Sequence, residues 1–250
     1  MKRNSLPTIA VITGTGVTEH FEVGPPKPLK TKYGAALVFK SKDGRFYVLP
    51  RHGPGHKVPP HRINYTANIA GLRALGVTTV IATSAVGSIN PEFRVGEMGL
   101  AEQFLDFTKG RQSTFFDREV AHTDMTEPYS GMLNWAIQRG GESVGVKLRT
   151  GLVYVCAEGP RFESAAEIRM FKMLGGDVVG MTGVPEVVLA KEMGMNYSSI
   201  VIATNWAAGI QEKVSHTEVL SVMKSTGEVV RKVVEATVNH LPKTPPEREA

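Results

Sequence analysis

The feature that most constrains this chain is the stretch 157–210, where three apolar runs each stop at a polar residue beside a turn. The first leads into Glu158-Gly159-Pro160-Arg161-Phe162-Glu163-Ser164, a turn that opens a helix. The second, Asp177-Val178-Val179-Gly180, passes through Met181-Thr182-Gly183-Val184 to a helix starting at Pro185-Glu186. The third, Ser198-Ser199-Ile200-Val201-Ile202-Ala203, ends at Thr204-Asn205. Short apolar runs bounded by turn residues read as buried strands. In open α/β folds, ligands bind outside the carboxyl ends of the strands. Glu163, Thr182 and Asn205 are therefore candidates for one shared site.

The rest of the chain repeats the alternation. Thr8-Ile9-Ala10-Val11-Ile12 is a buried first strand, followed by the Gly-rich turn Thr13-Gly14-Thr15-Gly16. Residues 37–40 and 46–49 flank Lys42-Asp43-Gly44 as a hairpin. A loop rich in breakers, Arg51-His52-Gly53-Pro54-Gly55-His56, precedes a helix over 64–75 stopped by Gly76. Residues 80–83 form a strand ending in Ser84-Ala85-Val86-Gly87-Ser88, and 98–107 are extended. Residues 109–124 have little periodicity and carry Phe115, Phe116 and His122; a loop of this length is usually functional. Helices are predicted over 132–144, weakly interrupted by Gly140-Gly141, and over 165–174, 186–193 and 217–241, with a strand over 149–157. The fold class is α/β, with a parallel or mixed sheet. With no repeat and no linker, residues 8–241 read as one domain, between a short tail at 1–7 and a Pro- and Glu-rich tail at 242–250 expected to fray.

Composition excludes several classes. A net charge of +5 with scattered Lys and Arg does not make a nucleic-acid stripe, but suits a small anionic substrate. The single Cys156 forbids an internal disulfide or a Cys-based zinc cluster and fits a reducing cytoplasm. No run reaches the length of a membrane span, and residues 9–12 are too short for the apolar core of a signal peptide.

Taken singly, the motifs are weak. Gly14-Thr15-Gly16 lacks the third Gly of a dinucleotide fingerprint and the Lys of a phosphate loop, so it is either a plain tight turn or a nest of N–H groups and a hydroxyl for an anion. Arg51-His52, directly after a strand, is a surface pair or an Arg forked onto phosphate with a His beside it. His56 and His61 lie close by, but Pro59-Pro60 interrupts and no Glu follows at helical spacing, which argues against a metal. Phe162-Glu163 is a core ring with a helix-start carboxylate, or a ring that stacks on a base and an acceptor for its N–H groups. Asn205 is a turn residue, or an amide matched to an adjacent carbonyl and N–H. His122 and His216, singly, are ordinary surface histidines.

Together they are specific. The order Gly-Thr-Gly, Arg-His, Ser-Ala-x-Gly-Ser, Glu-Gly-Pro-Arg-Phe-Glu, Gly-Met-Thr-x-x-Pro-Glu, Ala-Thr-Asn resembles the trimeric purine nucleoside phosphorylase and methylthioadenosine phosphorylase family, from about residue 9 to 241. The resemblance implies a single α/β domain with a mixed sheet partly closed into a barrel and flanked by helices. It implies a homotrimer, leaving open whether trimers pair, and reversible cleavage of an N-glycosidic bond by inorganic phosphate. No metal or organic cofactor is implied. By position, Thr15, Arg51, His52, Ser84, the backbone of Ala85 and Thr182 would hold phosphate. Met181 would lie under the ribose, and Phe162, Glu163 and Asn205 would hold the purine. His216 falls near the 5′ group, and His122 would come from a neighbouring subunit. Asn205 and His52 would carry the catalytic work.

The resemblance also directs the choice of base. A 6-oxopurine presents a donor at N1 and an acceptor at O6, matching Glu163 and Asn205; adenine presents the reverse. Adenine-selective members of the family place carboxylates at the positions of Asn205 and Ala207 and a small hydroxyl residue at that of Glu163. This chain departs from them at all three, so inosine and guanosine are the expected substrates. The 5′ group stays open between hydroxyl, favoured by His216, and methylthio, favoured by His122. A non-catalytic nucleoside-binding protein is the alternative of another class, and the phosphate set argues against it.

Overall fold

A computed structural model describes residues 7–241; apart from Pro7, the expected tails lie outside the described residues. Strand β1 (Ile9–Thr13) is buried at every position, as a strand covered on both faces must be. It lies between β4 (Phe46–Pro50) and β5 (Thr79–Ser88), parallel to both. β3 (Gly34–Ser41) forms the expected hairpin with β4. β2 (Val23–Thr31), which the sequence pattern does not announce, adds antiparallel to the outside of β3. It contains Pro25, Pro26 and Pro28, which cannot donate to a ladder; an edge strand tolerates them, and its Lys27 and Lys30 discourage pairing with another chain.

Five strands close on themselves. β5 pairs in turn with β8 (Val178–Gly180), β7 (Arg149–Ala157), β6 (Met98–Phe107) and β9 (Asn196–Trp206), and β9 returns to β5. The barrel is mixed: β9 runs parallel to β5, whereas β8 is antiparallel to β5 and β6 antiparallel to β9. β1 to β4 extend it as an open flank.

Helices cover both faces. On β1, Ala10 and Ile12 pack with α1 (Tyr65–Ala74) and α4 (Gly183–Glu192), while Ile9 and Val11 pack with α2 (Gly131–Ser143) and α5 (His216–His240). This is the two-residue alternation of a strand. Side chains cap α1, α2 and α5: Asn64, Ser130 and Ser215 each accept from a backbone N–H three residues on. α3 (Ala165–Met173) has a full capping box from Ser164 and Glu167. α2 runs through Gly140-Gly141 without a break. A Cβ at Gly140 would lie 2.5 Å from Thr237 Oγ1 and 2.7 Å from its N. The glycine therefore serves the close approach of α2 to α5 rather than a bend. Residues 108–130 form the long loop expected from the sequence. Among the described residues no helix is long and apolar enough to cross a membrane.

Candidate active site

A cavity of about 380 Å³ opens where β1, β4, β8 and β9 end. Its lining includes Thr15, Arg51, His52, Ser84, Ala85, Phe162, Glu163, Met181, Thr182, Asn205, Ala207 and His216. All the expected site residues thus meet in one place except His122, which is exposed on the long loop and does not line it. Sequence reasoning missed His56, Thr204, Val214 and Val219, which also line it.

Backbone register aims Thr204 and Asn205. β5 and β9 pair regularly up to Val86↔Ala203, then slip so that Gly87 pairs with Asn205. Thr204 is the extra residue of a β-bulge. A regular strand alternates faces, but here both Thr204 and Asn205 line the cavity. Thr204 Oγ1 lies 3.2 Å from Val86 O and 3.0 Å from Asn205 Oδ1, and its single proton serves one of the two, while Asn205 Nδ2 donates to Trp206 O (2.9 Å). Nδ2 keeps one N–H and Oδ1 at least one lone pair for a ligand. Ser84 and Ala85 sit within β5, not past it as the sequence suggested.

Arg51 differs from expectation. Its fork does not point into an open anion site. Nε and Nη2 donate to the two oxygens of Glu186 (2.9 and 2.8 Å), and Nη1 donates to Thr83 O (2.6 Å). Neither side chain of the pair is exposed. Tyr197 Oη also donates to Glu186 (2.8 Å). Burial disfavours the guanidinium charge, but Glu186 more than restores it and holds Arg51 protonated. Of five N–H groups, one on Nη1 and one on Nη2 remain for a ligand. Gly14 makes this packing possible: a Cβ there would lie 2.8 Å from Thr83 O and 3.0 Å from Arg51 Nη1. In the sequence Glu186 stands out only as the residue after Pro185 at the start of a helix, within the Gly-Met-Thr-x-x-Pro-Glu motif, with no sign that it pairs with Arg51.

The hydroxyls complete this end. Ser84 Oγ is buried with no partner. Thr182 is the N-cap of α4, but its side chain makes no capping bond and the residue lines the cavity. Val184 is extended, as a residue before proline prefers, so regular helix begins at Pro185 as the sequence suggested. His52 Nδ1 lies 2.8 Å from Val58 O. A carbonyl only accepts, so Nδ1 carries the proton and Nε2 presents a lone pair. Burial, then the charge of Arg51, push the ring's pKa down to about 3. His52 is a neutral acceptor, not a cation.

At the other end stands Glu163. Its Oε1 is buried and unpartnered. Burial raises its pKa, and Glu167 adds to the rise. Phe162 is beside it, 37% exposed at the mouth. At the rim the rings of His52 and His56 are 4.1 Å apart, and that of His216 lies 6.4 Å beyond His56. His56 has a positive φ of 55° and sits 3.4 Å from Thr15 Oγ1. Among the described residues no three His, Cys, Asp or Glu side chains are grouped to hold a metal ion.

A cavity of this size at strand ends, with donors at one end and a bare acceptor at the other, defines an α/β protein that binds a small polar ligand. The sequence signature of the phosphorylase superfamily matches residues 8–239. A 6-oxopurine nucleoside phosphorylase from Pyrococcus furiosus is 44% identical, covering 95% of this chain and 94% of the relative. A probable S-methyl-5′-thioinosine phosphorylase from Methanopyrus kandleri is also 44% identical, covering 96% and 94%. Methylthioadenosine phosphorylase from Schistosoma mansoni, solved with tubercidin, superposes with a TM-score of 0.87 at 29% identity, covering 93% and 91%. The chain belongs to the phosphorylase superfamily.

Proposed function

We propose that the protein catalyses reversible phosphorolysis of 6-oxopurine nucleosides, inosine and guanosine, to the free base and ribose 1-phosphate. One observation carries the choice of base: the buried, unpartnered Oε1 of Glu163 in the cavity wall. An ionised carboxylate only accepts. It suits the N1–H of a 6-oxopurine and opposes the lone pair of adenine N1. An unmatched buried polar group costs about 1–3 kcal/mol, enough to set a preference.

The remaining roles follow from chemistry. The hydroxyls of Thr15, Ser84 and Thr182, the Ala85 backbone and the two spare N–H groups of Arg51 donate to phosphate. His52 Nε2 accepts from a protonated phosphate oxygen or a ribose hydroxyl. Met181 underlies the sugar. As the C1′–N9 bond breaks, its electron pair moves into the purine, and C1′ takes on oxocarbenium character stabilised by the phosphate dianion. A phosphate oxygen then bonds to C1′ from the opposite face. Asn205 accepts from a protonated N7 and donates to O6, contacts that strengthen as the base gains charge. This reaction uses no metal or organic cofactor.

A second reading concerns the 5′ group. Val214 and Val219 line the cavity beside His216; these two apolar side chains, unlike His216, favour 5′-methylthioinosine as a further substrate. The active unit in this reading is a cytoplasmic homotrimer, His122 reaching a neighbour's site. The base assignment is tested by the ratio of kcat/KM for inosine over adenosine in wild type, Asn205→Asp, Glu163→Ser and the double variant. The ratio should fall in Asn205→Asp and further in the double variant, and the two effects should be non-additive, since both residues touch one base. Wild type preferring adenosine, or an unchanged ratio in Asn205→Asp, would contradict it.

A further inference from the structure

The first part of the long loop acts within its own chain. Lys109 N donates to Glu158 Oε2 (2.6 Å), and Thr114 Oγ1 and Phe115 N donate to Glu192 (both 2.7 Å). Between these pins Arg111 turns inward until its side chain is only 3% exposed. Nη1 donates to Val184 O (2.7 Å) and reaches Tyr65 Oη (3.2 Å). Nη2 donates to Glu158 O (2.7 Å) and, more weakly, to Ala157 O (3.4 Å). Nε lies 3.2 Å from Glu158 Oε2. Tyr65 in turn donates to Pro60 O (3.0 Å).

These partners belong to three walls of the cavity. Pro60 is part of its lining. Glu158 opens the turn that carries Phe162 and Glu163. Val184 lies two residues after Thr182. Arg111 itself does not line the cavity. Its planar fork spans carbonyls on separate segments, which an ammonium point charge cannot do. We propose that Arg111 is a positioning residue that fixes the purine turn against the phosphate turn, so that base and phosphate, each bound at its own end, face each other at reacting distance. The inference rests on the phosphorolysis reading above. Either ligand alone needs only one wall, whereas reaction needs the spacing between walls, and a displacement of about 1 Å can cost ~100-fold in rate.

The test compares wild type, Arg111→Ala and Arg111→Lys in inosine phosphorolysis, with Kd for phosphate alone and hypoxanthine alone, and thermal unfolding of each. Both variants should lose kcat, by about 100-fold in Arg111→Ala, with each single-ligand Kd close to wild type. Millimolar guanidinium should restore turnover to Arg111→Ala saturably, and equimolar ammonium should not. If Arg111→Ala does not fold, Arg111→Lys, which keeps stem and charge, still carries the kcat-against-Kd comparison. Wild-type kcat in either variant would overturn the inference. So would loss of kcat in step with both affinities and the melting temperature, or equal rescue by ammonium. A wild type inactive on purine nucleosides would overturn the functional reading itself and would show in the wild-type arm alone.

Discussion

The Arg51–Glu186 pair and Glu163 concentrate the electrostatics of the site, and each makes a prediction. Arg51 and Glu186 form a fully buried pair. Removing one partner leaves an unpaired buried charge, at about 3–5 kcal/mol. Arg51→Ala should therefore lose both phosphate use and stability. Arg51→Met combined with Glu186→Gln should recover most of the stability without recovering phosphate use; unfolding curves beside the phosphate KM would check this, and recovery of both would remove Arg51 from the phosphate site. Glu163 is the converse, a carboxyl with its proton held to higher pH than in the unfolded chain. Its contribution to stability is full below the unfolded pKa and lost as pH rises through the folded one. Glu163→Gln should thus melt higher than wild type at neutral pH, by about 2–4 °C for each kcal/mol. The acid limb of kcat/KM for inosine should lie above the ordinary glutamate range in wild type and vanish in the variant. An unchanged limb would assign it to another group.

At the level of elements, what could be read from sequence depended on whether local signals decided the structure. β1 and β7 are apolar runs bounded by turn residues and form where expected. α3 carries its capping box in its own sequence. β2 is hidden because its prolines argue against a strand and only its edge position admits them. The run 84–88 reads as turn chemistry, yet pairing with β8 and β9 keeps it extended. Barrel closure depends on β9 pairing with both β5 and β6, and no local pattern encodes that. In the same way, Arg51 announces itself beside a strand, but Glu186, its partner, is 135 residues away. The bulge at Thr204 is a matter of register between strands and has no mark in composition. Gly140 looked like a weak point and is a contact. Gly140→Ala should raise helix propensity yet destabilise, because its Cβ meets Thr237 backbone; overpacking of this kind costs about 1–3 kcal/mol. A calorimetric scan showing Gly140→Ala more stable than wild type would contradict the close α2–α5 packing.

At the scale of the whole molecule, the candidate phosphate and base residues gather at one end of a closed barrel, while residues 117–122 in the middle of the long loop are exposed. Val120, 90% exposed, lies two residues before His122 on that segment. An apolar side chain so exposed beside a candidate site residue fits a loop that docks on a neighbour. Sedimentation should find active protein as a trimer or a multiple of it, and a fully active monomer would contradict this. The central claim concerns the reaction itself. The most direct test is the stoichiometry of wild-type turnover on inosine, with hypoxanthine, ribose 1-phosphate and phosphate quantified together. The account predicts one hypoxanthine and one ribose 1-phosphate per phosphate consumed, and no base release when phosphate is omitted. Release of hypoxanthine with free ribose and no need for phosphate, or no release at all, would contradict it.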